Sequence, residues 1–218
     1  MPQVTSIEPQ KRRQGRFNIY VDGRFSFAAD ENLLAKNMLS VGKSLSEGDI
    51  ERLIKENEAG KLFDASLRFL SYRPRSEKEV CDFLVKKIAR SENIKFNQAS
   101  QSPVISQVIT RLKKQSFLND EEFANWWVKA RTGSQPKGPY LIKRELAGKG
   151  IDKDIIEKAI SKITNQRELG YKVIHRKLET WKKLTNLELK KKVYEHLARR
   201  GFDSKTINEV IAQILKKV

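Results

Sequence analysis

Hydrophobic positions alternate with polar ones over the first 28 residues, and from about residue 30 they recur every three or four. The alternation predicts strands. Phe17, Ile19 and Val21 fall on one face, Asp22-Gly23 turns the chain, and Phe25 and Phe27 continue on the return strand. Asp-Gly suits a type I′ hairpin turn, whose two central residues both need positive φ. VTSIEP, residues 4–9, adds a third strand, which makes KRRQGR, residues 11–16, a basic loop between strands. Beyond it, Asp30 is a good N-cap for a helix reaching residue 37. Ser46-x-x-Asp49 resembles a capping box ahead of Ile50, Leu53 and Ile54, so two short helices are expected to connect the hairpin to the rest.

The helical part repeats. RELAGKGIDKDIIEKAI (144–160) returns as YEHLARRGFDSKTINEVI (194–211), and a shift of 51 lays Leu146 on Leu197, Gly150 on Gly201 and Asp152 on Asp203. An earlier block fits with adjustments. Phe63, Leu67 and Leu70 match Phe123, Trp127 and Ala130; Val80 and Leu84 match Ile142 and Leu146; Ile105, Ile109 and Leu112 match Ile156, Ile160 and Ile163. The change of shift locates a polar, loop-like insertion near 91–100. The fold class that follows is mainly α: a tandem array of three three-helix repeats after an N-terminal β-hairpin or small antiparallel sheet and short connector helices. The expected boundaries are 1–61 for the hairpin and connectors, then 62–119, 120–168 and 169–218 for the repeats.

The repeated stretch is a corner. Gly150 stands where a helix C-cap takes the left-handed conformation. Asp152 caps the next helix, and Ile151 with Ile156 forms a hydrophobic staple. Gly201, Phe202, Asp203 and Ile207 repeat these roles, so the motif specifies architecture and function must lie in what decorates it.

Charge changes the picture. The chain holds 44 Lys and Arg against 27 Asp and Glu, a formal net charge of +17 with a pI near 9.9. Such an excess predicts attraction to a polyanion. It is concentrated in the repeats: residues 169–218 carry 13 basic and 5 acidic side chains, whereas residues 1–61 carry 10 and 9. No run of 18 apolar residues and no signal-like N-terminus argue for a membrane, and a single cysteine, Cys81, fits a reducing compartment. A cytoplasmic, monomeric protein is expected.

Catalytic chemistry finds little support. His175, His196 and Cys81 stand apart from any metal-ligand or nucleophile pattern, and GKGID lacks a phosphate-loop spacing. His196 reads as a helix-surface histidine. No enzyme activity, cofactor or metal is expected. Phe123 and Trp127 read as core, Trp126 as core rim and Trp181 as core-compatible at the repeat position of Ala130, whereas Tyr140 is a better contact candidate.

Basic residues recur around the second helix of each block. They are Arg73 and Arg75 in RPRS, Lys137 in QPKG followed by Lys143 and Arg144, and Lys191, Lys192 and Arg199 in LKKKVYEHLARRG. With Tyr140 they form the candidate partner and nucleic-acid surface, cations and helix starts facing phosphates together.

RSEKEVCDFL, then FLNDEEFANWWVKAR, then KGPYLIKRELAGKGID closely resemble the RecX family of bacterial regulatory proteins, over essentially the whole chain. The resemblance implies three three-helix units. It also implies binding to the RecA recombinase filament on single-stranded DNA, with restraint of its ATPase, DNA pairing and strand exchange. Double-stranded DNA would be a weaker, non-specific partner. The N-terminal hairpin and the polar insertion depart from the commonest family pattern. Two other readings stay open: a basic helical-repeat protein that binds DNA without a recombinase, and a scaffold whose charge serves solubility alone.

Overall fold

The computed structural model describes residues 1–11 and 14–216. Its elements are β1 (Val4–Pro9), β2 (Arg16–Val21), β3 (Arg24–Asp30), α1 (Glu31–Lys36), α2 (Glu47–Ser71), α3 (Glu77–Glu92), α4 (Phe96–Ala99), α5 (Pro103–Lys114), α6 (Asp120–Arg131), α7 (Pro139–Gly148), α8 (Lys153–Ser161), α9 (Gln166–Leu178), α10 (Asn186–Arg199) and α11 (Ser204–Leu215). A 3₁₀ turn, Glu179–Trp181, follows α9. The chain forms two compact units, Met1–Tyr72 with Cys81–Phe117, and Arg73–Val80 with Leu118–Val218. Arg12 and Arg13 of the expected basic loop lie outside the described residues.

In the first unit the three strands pair antiparallel in the order β1-β2-β3. Asp22 and Gly23 hold φ of 49° and 79°, as the hairpin turn requires. Ile19 and Phe27 are buried with Val4, Leu33, Leu45 and Leu53. Phe25, expected on the same face as Phe27, is 59% exposed. The register shifts after Ile19, so that Tyr20 pairs with Phe25 and the two rings meet edge to face at 6.0 Å. One extra residue in the return strand reverses the alternation there.

The capping box forms: Ser46 Oγ accepts from Asp49 N–H at 3.1 Å, and Asp49 Oδ2 accepts from Ser46 N–H at 3.1 Å. The helix it starts is not a short connector. It runs 25 residues, through Gly60, to Ser71. Tertiary contacts hold it on both sides of the glycine: before it, Arg16 Nη2 donates to the buried Asn57 Oδ1 at 2.9 Å, and Leu53 is fully enclosed. Further along, Phe63 is buried, and Arg111 of α5 stacks 3.9 Å from its ring centre. The insertion expected to be a loop contains α4, whose Ala99 is fully buried and whose start is tied by Lys95 N–H donating to Gln98 Oε1 at 3.1 Å.

The second unit holds α6–α8 and α9–α11 around one continuous core. Phe123, Trp127, Ile142, Leu146, Ile156 and Ile163 pack together with Leu169, Ile174, Val193, Leu197, Ile207 and Ile214. Both corners are Schellman motifs. Ile151 N–H donates to Leu146 O at 3.2 Å and Gly150 N–H to Ala147 O at 3.0 Å; Phe202 and Gly201 repeat the pair on Leu197 and Ala198. Gly150 and Gly201 sit at φ of +77° and +84°. Asp152 accepts from Asp154 N–H and Asp203 from Thr206 N–H, and Ile151, Ile156, Phe202 and Ile207 are all buried.

The corners also dock. Gly138 N–H donates to Arg200 O at 2.8 Å and Tyr140 N–H to Gly201 O at 3.2 Å, so the second corner seats on the start of α7. The first corner receives Ser76, whose Oγ donates to Lys149 O at 2.8 Å. The same backbone bend therefore both turns the chain and receives the start of another helix. Ala130, which the repeat puts on the core face, is exposed, and Trp181 is only half-buried because it stands on the 3₁₀ turn and not on a helix.

Candidate nucleic-acid and partner interface

All nine expected contact residues belong to the second unit, and the fold treats them differently. Arg73 faces inward. Its guanidinium grips Glu79 with two bonds, 2.9 Å and 3.1 Å, and lies 5.8 Å from the Trp126 ring centre. Lys149, from the first corner, completes the cluster with a 2.5 Å bond to the same carboxylate. Burial works to raise the Glu79 carboxyl; hydrogen bonds from Arg73 and Lys149, with the charge of both, outweigh it and hold it down at about 2. Arg75 is half-buried, and burial together with the neighbouring Arg73 charge lowers its pKa.

Lys137 is engaged in a second hub. Glu145 accepts from Lys137, from Arg131 Nε at 2.7 Å and from Trp127 Nε1 at 2.8 Å. Burial opposes ionisation of Glu145, but these donors prevail and its pKa is lowered. Arg131 and Lys149 both lie over the Trp127 ring, at 4.2 Å and 5.0 Å from its centre. These two hubs fasten the start of α3, α6 and α7 to the first corner. Their cations are already neutralised by carboxylates, which leaves little of their field for an outside anion. Lys143 pairs with Glu157 across the surface, a contact of small worth in water.

The uncommitted charge lies elsewhere. Arg144 and Lys191 are exposed and carry no ion pair among the described residues. Lys192 is exposed beside Glu188 one helical turn away, and Arg199 is exposed with only Nε spent, on Glu195 O at 3.2 Å. Lys192 and Arg199, seven apart on α10, share a face. Tyr140 is 68% exposed at the α7 start, where the Arg200–Gly201 backbone docks, so Tyr140 and the Arg199 end of α10 come together.

His196 departs from the expected surface histidine. Its Nε2 is enclosed without a hydrogen-bond partner, and its ring meets Trp181 edge to face at 6.2 Å. Burial first, then the charges of Lys177, Arg200 and Arg199, lower its pKa and keep it neutral near pH 7. Of these cations Lys177 was missed from sequence, because it is 19 residues away on another helix. Among the described residues no group of three or more His, Cys, Asp or Glu side chains is arranged to hold a metal, and no helix is long and apolar enough to cross a membrane.

The Glu79 hub is testable. Its carboxyl is held at about 2 in the fold against an ordinary 4.5, so its contribution is present above pH 4.5 and is lost as pH falls toward 2. Glu79→Gln is expected to cost roughly 1–2 kcal/mol at pH 7, below the figure for a fully buried pair because water reaches both cations. It should also flatten the acid-unfolding profile between those limits. Trp fluorescence reads this directly, since all three tryptophans lie in the second unit. An unchanged acid profile would mean that the hub carries no stability.

Models of the RecX family match the chain in four parts. The regulatory protein RecX N-terminal domain matches residues 2–46, and the first, second and third three-helix domains match residues 63–92, 119–160 and 165–211. The regulatory protein RecX of Bacillus subtilis (strain 168) is 38% identical over 216 residues, 98% of this chain and 78% of that protein. That of Listeria monocytogenes serovar 1/2a is 32% identical over 207 residues, 92% and 71% of the two chains. A crystal structure of regulatory protein RecX superposes with a TM-score of 0.74 at 26% identity, covering 96% of this chain and 98% of that one. A crystal structure of RecX from Lactobacillus salivarius gives 0.62 at 28% identity, over 75% and 99%.

Proposed function

We propose, since the chain belongs to the RecX family of regulatory proteins, that it restrains the RecA recombinase by binding its filament on single-stranded DNA. It does so as a cytoplasmic monomer without a catalytic step of its own. The observation that carries this reading is the family match along the chain, and the exposed cations of α7 and α10 support a nucleic-acid component. Tyr140, Arg144, Lys191, Lys192 and Arg199 are the residues assigned to that contact. Arg73 and Lys137, singled out for the same role by their spacing, serve it indirectly through the hubs that fix the helices presenting the others, while Lys143, paired with Glu157 at the surface, and the half-buried Arg75 are assigned to neither task.

An inhibitor of this kind needs no active site. A ligand shifts an equilibrium only through its different affinity for the two states, so restraint requires preference for an end, a strained geometry or a state that cannot exchange strands. Several weak contacts spread over the second unit add by effective concentration.

Salt separates this reading from direct DNA binding, which the charge of +17 also favours. Affinity for a bare single-stranded oligonucleotide should fall steeply with salt as counterions are released. Affinity for the assembled filament should keep a salt-resistant part from protein contacts. Identical salt slopes for the two would favour the recombinase-independent DNA binder.

A further inference from the structure

The first unit contains an open groove of about 640 Å³, lined by α2, α3 and the start of α5. That volume is in the range of ligand sites. Three half-buried apolar side chains line it, Leu62, Phe83 and Val104, one from each helix. Around them stand Lys61 of α2 and Lys86, Lys87 and Arg90 of α3. The last three are exposed and carry no ion pair among the described residues, in contrast to Arg73, Lys137 and Lys149, which carboxylates neutralise.

The start of α5 adds to the positive field. Ser102 occupies the N-cap without a side-chain capping bond, and Pro103 follows it. The N–H of Val104 is one of those that a helix start leaves without an intrahelical partner. The groove thus combines an apolar surface, a basic margin and donors at a helix end.

Charge and shape select the occupant. Two carboxylates, Glu58 and Glu92, also line the groove and oppose phosphate and carboxylate alike, so the choice of occupant rests on the apolar lining. Bases favour open aromatic faces for stacking, but Leu62 and Val104 are aliphatic and one face of Phe83 is covered by Phe69, stacked at 4.3 Å with planes 4° apart. Aliphatic side chains of a peptide match Leu62, Phe83 and Val104, and its carboxylates match Lys86, Lys87 and Arg90. We infer that this groove docks an acidic peptide segment with aliphatic anchors, presented by a protein partner. The contact goes beyond the filament reading and uses none of the second unit's cations.

The test uses the full chain and a fluorescein-labelled synthetic peptide in which runs of Glu flank Leu pairs at helical spacing. The wild-type chain should bind it saturably. The combined Lys86→Glu, Lys87→Glu and Arg90→Glu variant should bind at least tenfold more weakly. Val104→Asp should do the same while keeping its helix, because an acidic residue is favourable in a first turn; far-UV circular dichroism checks the fold of both. The combined Lys191→Glu, Lys192→Glu and Arg199→Glu variant should bind the peptide as the wild type does. No saturable binding, or binding indifferent to both groove variants, would overturn the inference. So would oligothymidylate binding that falls as far as peptide binding in the α3 variant, which would mark a nucleic-acid groove. The readout contains no recombinase, so it fails or succeeds independently of the filament reading.

Discussion

Gly138→Ala is expected to destabilise the second unit by about 3–5 kcal/mol, a fall in melting temperature on the order of 10 °C. The backbone conformation at Gly138 is ordinary, with φ of −74°, so an alanine there is not strained by its own dihedral. The cost comes from what it meets. An added Cβ would be driven into the Gly201 carbonyl and the Phe202 nitrogen, which are backbone and cannot rotate away. Relief requires the second corner to lift off α7, losing the bonds from Gly138 to Arg200 and from Tyr140 to Gly201. The approach is also close from the other side, where a Cβ on Gly201 would lie 2.6 Å from Leu141 N. Gly148 is the control: a Cβ there meets nothing within 4 Å, so Gly148→Ala should be neutral or stabilise by up to about 1 kcal/mol. Trp fluorescence melts of the two variants separate the cases. Equal melting would mean that the corner does not bear on α7 as described.

The combined Lys191→Glu, Lys192→Glu and Arg199→Glu variant is expected to lower affinity for a single-stranded oligonucleotide by more than a hundredfold at low salt. If all three side chains neutralise phosphates, the log–log salt slope should shrink by about 2, at roughly 0.7 per lost contact on a single strand. Restraint of the recombinase should weaken with it. The fold should not, because all three side chains are exposed and none holds a carboxylate needed for packing. An unaltered slope would remove this face from the DNA contact.

Local chemistry was legible wherever a residue type has few alternatives. Asp22-Gly23 announced the hairpin, and Gly150 with Asp152 and Gly201 with Asp203 announced two corners that the fold builds as Schellman caps. The bulge that turns Phe25 outward leaves no comparable mark, since strand register is settled by pairing and not by composition. The length of α2, which runs through Gly60, rests on tertiary contacts on both sides of the glycine, with Asn57 held by Arg16, 41 residues away, and Phe63 covered by Arg111. Charge was legible as a total but not as a surface. Glu79 neutralises Lys149 across 70 residues and Glu145 neutralises Lys137 across a docked turn, so cations that look alike in sequence divide into structural and available ones.

The most direct test of the central claim is single-stranded-DNA-dependent ATP hydrolysis by the RecA of the same organism, titrated with this protein in the presence of excess DNA. Inhibition is expected at protein levels well below those of the recombinase, undiminished by further DNA. Inhibition that appears only when the protein saturates the DNA, and that added DNA relieves, would contradict that claim.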